Sequence, residues 1–99
     1  MTAGRRLDAV VHGRVQGVGF RMYIRRRARE LELTGWVANE PGGRVHCVAE
    51  GPDEALDRLE TTIRSGPPGA WVERVDVERW PATGEFTGFD VRSGWHGGD

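Results

Sequence analysis

Apolar and polar residues alternate at the start of this chain: Leu7, Ala9 and Val11 fall on one side of an extended segment, and Asp8, Val10 and His12 on the other. That period of two predicts a strand over residues 7–12 with one face more apolar than the other. From residue 20 the period lengthens, with Phe20, Ile24, Ala28 and Leu31 at helical spacing, Tyr23 beside them and arginines opposite. A helix is predicted there. Thr34 and Gly35 are read as breaking it, since glycine is a common C-terminal stop. Residues 36–39 read as a short strand, 40–43 as a Pro/Gly turn, and 44–50 as a returning strand with Val45, Cys47 and Ala49 on one face, so the two strands form a hairpin. Gly51-Pro52-Asp53-Glu54 has the composition of a helix start, with proline tolerated in the first turn and acids favoured at the positive end of the dipole. Leu56, Leu59 and Ile63 give that helix its buried stripe, and the prolines and glycines of 65–69 end it. Val72, Val75 and Val77 mark a fourth strand over 71–80; after a polar turn at 81–85, Phe89 and Val91 mark a short fifth.

The order is therefore β-α-β-β-α-β with a short strand appended. It is an α+β, ferredoxin-like plan: one mainly antiparallel sheet with two helices on one face. In that topology the first and second strands run parallel, with the third between them and antiparallel to both. The C-terminal ends of the first two strands then share one edge, which brings Asn39 beside the loop that follows the first strand.

Length and composition narrow the setting. Ninety-nine residues suit one domain, 1–99, built on a single two-layer core. Residues 94–99 are too polar and Gly-rich to be expected to hold a fixed structure. No apolar run approaches a membrane span, and Arg5 and Arg6 lead straight into a strand rather than a signal peptide, so a cytoplasmic protein without membrane contact is expected. Cys47 is the sole cysteine, which excludes an internal disulfide and a cysteine-based metal site; in mid-strand it reads as a small hydrophobe. The edge strands carry no dimer signal, and a monomer is expected. Net charge is −1 and every basic side chain is arginine. Arg21, Arg25, Arg26, Arg27 and Arg29 crowd the first helix, and Asp53, Glu54, Asp57 and Glu60 the second. The arginine helix is read as presenting a solvated outer face rather than a nucleic-acid surface. Trp36, Trp71 and Trp80 are read as core or edge packing.

The stretch with chemistry is G-R-V-Q-G-V-G-F-R at 13–21, which leaves a strand and opens a helix. Glycine lets successive amides turn inward into a concave anion site, and the first helical turn adds unpaired N–H groups and the positive dipole end. The predicted cradle is Val15, Gln16, Gly17, Val18, Gly19 and Phe20, closed by the planar guanidinium of Arg21. An arginine in a helix's first turn opposes the dipole, a choice suited to ligand binding rather than stability. The stretch lacks the third glycine of a dinucleotide fingerprint, where Met22 stands, and the Gly-Lys-Ser/Thr of a nucleotide P-loop. Asn39, from the neighbouring strand end, cannot be a strong base, but its amide can hold a water in attacking position. The sequence offers no evident acid for a poor leaving group, no nucleophile and no carboxylate cluster for Mg²⁺. A mixed anhydride of phosphate and a carboxylic acid expels a carboxylate, which needs no proton at neutral pH. An acyl phosphate fits this inventory best, with inorganic phosphate as product and competitive ligand. The alternative is a non-catalytic phosphate-sensing or RNA-binding module of the same fold. Strand 44–50 lacks the aromatic pair such an RNA-binding sheet uses, so nucleic acid is not expected.

Two stretches, V-H-G-R-V-Q-G-V-G-F-R at 11–21 and G-W-V-A-N-E-P-G-G-R-V-H-C-V-A-E-G at 35–51, resemble the signature patterns of the acylphosphatases. With the element order and the length, the resemblance spans nearly the whole chain. It implies a metal-independent hydrolase without a cofactor, which cleaves acyl phosphates to a carboxylate and inorganic phosphate. In it Arg21 would bind phosphate and Asn39 would orient the water.

Overall fold

The computed structural model describes residues 4–92, so the 94–99 segment lies outside the described residues. The elements are β1 (Arg5–Arg14), α1 (Phe20–Glu30), β2 (Thr34–Glu40), β3 (Arg44–Gly51), α2 (Asp53–Ser65), β4 (Trp71–Pro81) and β5 (Phe89–Arg92). The sheet order is β4-β1-β3-β2-β5. β3 is antiparallel to β1 and β2, β4 antiparallel to β1, and β5 parallel to β2. This is the ferredoxin-like sandwich expected from the element order, and β1 and β2 do end at the same edge.

The alternation of β1 decides which face the helices cover. Leu7, Ala9 and Val11 lie opposite Ala49, Cys47 and Val45 of β3 and are fully buried with them. Over them pack Phe20, Ile24 and Ala28 of α1 and Leu56, Leu59 and Ile63 of α2. Each large side chain buried this way contributes about 1.5–3 kcal/mol. Phe20 matters twice, because the first residue of α1 is also a core residue and so pins the loop in front of it.

The end of α1 differs from expectation. The helix stops at Glu30, and Glu32 takes the left-handed conformation at φ 59°. Its N–H donates to the carbonyl of Arg29, and Leu33 N–H to that of Ala28, a Schellman pair closed by a glutamate where glycine is usual. Gly35 is not the stop but a residue of β2, at φ 140°, where an added Cβ would land on the carbonyl oxygen of Val48. Its glycine permits the close approach of β2 to β3. Gly35→Ala is expected to lower unfolding free energy by at least about 2–3 kcal/mol in urea titrations, the cost of forcing a side chain into packed backbone.

The acidic face of α2 is not merely solvated: Arg79 of β4 reaches Asp53 at 3.0 Å, Asp57 at 2.8 Å and Glu60 at 3.2 Å, tying the helix to the sheet. Of the three tryptophans read as core or edge packing, two are at an edge and none is in the core. Trp71 and Trp80 are 68% and 48% exposed on edge strand β4. Trp36 stands on the sheet face away from the helices, edge-on to His46 and under the guanidinium of Arg92. The face of an indole attracts a cation, which suits Trp36 to this place beneath Arg92.

The connection from β4 to β5 must cross the end of the sheet, because the two strands lie at opposite edges. It is fastened strand by strand: Ala82 N–H donates to Gly4 O before β1, Thr83 and Gly84 N–H to the carboxylate of Glu50 in β3, and Gly88 O accepts from Gly35 N–H in β2. Glu50 is 5% exposed and also accepts from Arg6 at 2.9 Å and the Thr83 hydroxyl at 2.9 Å. Burial would raise its pKa, but the Thr83 and Gly84 amides, the Thr83 hydroxyl and Arg6 outweigh burial and hold it below the usual carboxylate value. A depressed folded pKa stabilises at pH values above the unfolded pKa, and that contribution fades as pH falls through the folded value. Stability measured by thermal melts is therefore expected to fall as pH drops below about 4.5. In Glu50→Gln that acid dependence should flatten, and at neutral pH the variant should be weaker by about 1–3 kcal/mol.

Candidate active site

The loop between β1 and α1 turns through two left-handed glycines, Gly17 at φ 76° and Gly19 at φ 78°. Gly19 is the N-cap of α1, and it offers no side chain to the helix's first amides; the first turn also holds no acid. The positive end of α1 is thereby left to face whatever lies in front of it. In front lies a cavity of about 120 Å³ lined by Val15, Gly17, Gly19, Phe20, Arg21, Met22, Asn39 and Val91.

Six of the eight residues predicted from sequence line this one cavity, including both residues given chemical roles. Asn39 arrives from β2, where it pairs with Val45 one position before the strand ends, and it is 5% exposed. Gln16 and Val18 do not line the cavity. Val18 packs against the core, while the Gln16 side chain turns across to the β2–β3 hairpin.

Strand β5 supplies two contributions that sequence reasoning missed. Val91 forms part of the cavity wall, and the carbonyl of Arg92 accepts from Arg21 Nη1 at 3.4 Å. The signal was present in Val91 as a strand residue, but its meaning depends on β5 lying parallel to β2, with Val91 opposite Val37. His12, just before the loop, points to the other face of the sheet, where its Nε2 lies 2.9 Å from Asp76. Cys47 is fully buried, and burial, aided by the charge of Asp8, pushes its thiol pKa up, which removes it as a nucleophile. Among the described residues, no three His, Cys, Asp or Glu side chains gather to hold a metal ion, and no helix is long and apolar enough to cross a membrane.

What the arrangement can do follows from its parts. A glycine loop, a helix N-terminus and a guanidinium are groups that can bind a small tetrahedral anion, and a buried amide side chain lining the same cavity can hold one water. The fold and cavity thus define a ferredoxin-like domain with a small cavity between the β1–α1 loop, the start of α1 and the end of β2. Residues 7–91 match the acylphosphatase family model. The chain is 52% identical over 88 residues to an acylphosphatase of Salinibacter ruber, covering 89% of this chain and 93% of that protein. It is 54% identical over 88 residues to one of Nocardia farcinica, covering 88% and 87% respectively. The crystal structure of acylphosphatase from Bacillus subtilis superposes with a TM-score of 0.86 at 34% identity, over 89% of this chain and 98% of that one. The chain belongs to the acylphosphatase family.

Proposed function

We propose that Arg21 and Asn39 carry out the acyl-phosphate hydrolysis of this protein from opposite sides of the loop cavity. The supporting observation is that a glycine loop, a helix start and the end of a non-adjacent strand line one small cavity. The phosphoryl oxygens are met by the amides of the loop and the first turn of α1, and by the Arg21 fork. Asn39 holds a water against the phosphorus, in line with the acyl oxygen. As the water oxygen bonds to phosphorus, the bond from phosphorus to the acyl oxygen breaks and its electron pair leaves on the carboxylate. Carboxylic acids ionise near pH 4, so the leaving group needs no proton at neutral pH. The surplus proton of the water goes to a phosphoryl oxygen or to solvent. The amides and guanidinium are already oriented before reaction, so charge shifting among the equatorial oxygens is stabilised without reorganisation.

Inorganic phosphate, having the same equatorial oxygens, is the product and a competitive ligand. The test is loss of the anhydride bond of benzoyl phosphate on incubation with the pure protein and a chelator. Hydrolysis well above the spontaneous rate is expected. A folded sample giving only the spontaneous rate would overturn the assignment.

A further inference from the structure

We propose that Gln16 is a positioning residue that locks the phosphate loop to the strand carrying Asn39. Its side-chain Nε2 donates to the carbonyl of Glu40 at 3.0 Å and to that of Arg44 at 2.8 Å. Both partners are acceptors, which assigns the NH₂ end of the amide to this side and uses both of its hydrogens. Glu40 and Arg44 are the last registered pair of the β2–β3 hairpin. Gln16 therefore closes the hairpin mouth from a different segment, 24 residues away from one partner and 28 from the other.

Glu40 directly follows Asn39, so fixing the Glu40 carbonyl fixes the backbone from which the Asn39 amide is aimed. The other end of the tie is the loop itself, between Val15 and Gly17, both of which line the cavity. A water-orienting group and a phosphate cradle on separate elements work only at a set separation, since small misplacements at a reacting centre carry large rate costs. The Glu40 side chain is itself held, with Oε2 2.6 Å from His46 Nδ1. The hairpin end is thus braced on one side by His46 and joined on the other to the loop by Gln16.

The inference rests on the reading of Asn39 above, and the experiment separates the two. Gln16→Met keeps side-chain length and removes both donors; Gln16→Ala removes the side chain. Each is made alone and combined with Asn39→Ala, and assayed with benzoyl phosphate and with phosphate as inhibitor. Expected for Gln16→Met is a kcat lower by roughly 10- to 10²-fold, with the phosphate inhibition constant within about twofold of wild type, and no further loss of kcat when Asn39 is already alanine. Wild-type kcat in Gln16→Met, a loss that multiplies with that of Asn39→Ala, or phosphate inhibition weakening in step with kcat would each overturn it. Full activity in Asn39→Ala would instead overturn the reading of Asn39. Should neither Gln16 variant fold, the wild-type protein still answers. The chain has one glutamine and one asparagine, so two side-chain NH₂ pairs are assignable by NMR. The Gln16 pair is expected to exchange with solvent well below the rate of free glutamine, and exchange at the free rate overturns the tie.

Discussion

Asn39→Ala is expected to keep phosphate inhibition near its wild-type strength while losing about 10²-fold or more in kcat, as for removal of a group acting chiefly in the transition state. The split follows from the layout of the cavity. The Gly17 to Arg21 side of the cavity is formed by the loop and α1, whereas Asn39 enters from β2; in the proposed reading the first side meets phosphate and Asn39 faces the water. Removing the amide leaves the cradle intact and the water unaimed. Steady-state hydrolysis of benzoyl phosphate at several phosphate concentrations separates the two effects. A parallel loss of inhibition and turnover would place Asn39 in the cradle instead.

Arg21→Ala is expected to lose both phosphate affinity and turnover. In the proposed role its guanidinium supplies charge to the bound phosphoryl group and to the transition state alike, so the effect falls on binding and on rate together. Arg21→Lys should recover part of the affinity, because the charge remains, but less of the rate, because an ammonium lacks the fork. Direct titration with phosphate alongside the rate assay tests both statements. Normal phosphate binding by Arg21→Ala would remove the arginine from the site. Arg21 also donates to Arg92 O, so a thermal melt of the variant reports whether β5 has loosened.

Much of the site was legible because it depends on local chemistry. A glycine run between an alternating segment and a helical one predicts a turn of inward amides wherever it occurs, and Gly17 and Gly19 do adopt positive φ. The place of Asn39 beside the loop was legible at one remove, through the ferredoxin-like strand order that the element order implies. The hidden residues share a different trait. Gln16 looks like one more loop amide until its partners, Glu40 and Arg44, are in place. Glu50 reads as the polar end of a strand, yet it is the buried post to which the β4–β5 connection is tied. Gly35 reads as a helix stop because glycine so often is one, while the true stop is Glu32.

By itself, the sequence determined the elements, their order and the two stretches from which the proposed site is built, because burial of apolar faces and the backbone preferences of glycine act over a few residues. Tertiary structure decided the separation of those halves and the parts that hold it: the Gln16 tie, the β5 wall with its Arg92 carbonyl, and the crossing pinned by Glu50. These are hydrogen bonds between groups far apart in the chain, and a polar side chain carries no mark of which distant acceptor it will meet. Only the packed sheet brings the acceptor within about 3 Å of the donor, the distance at which such a bond has energy.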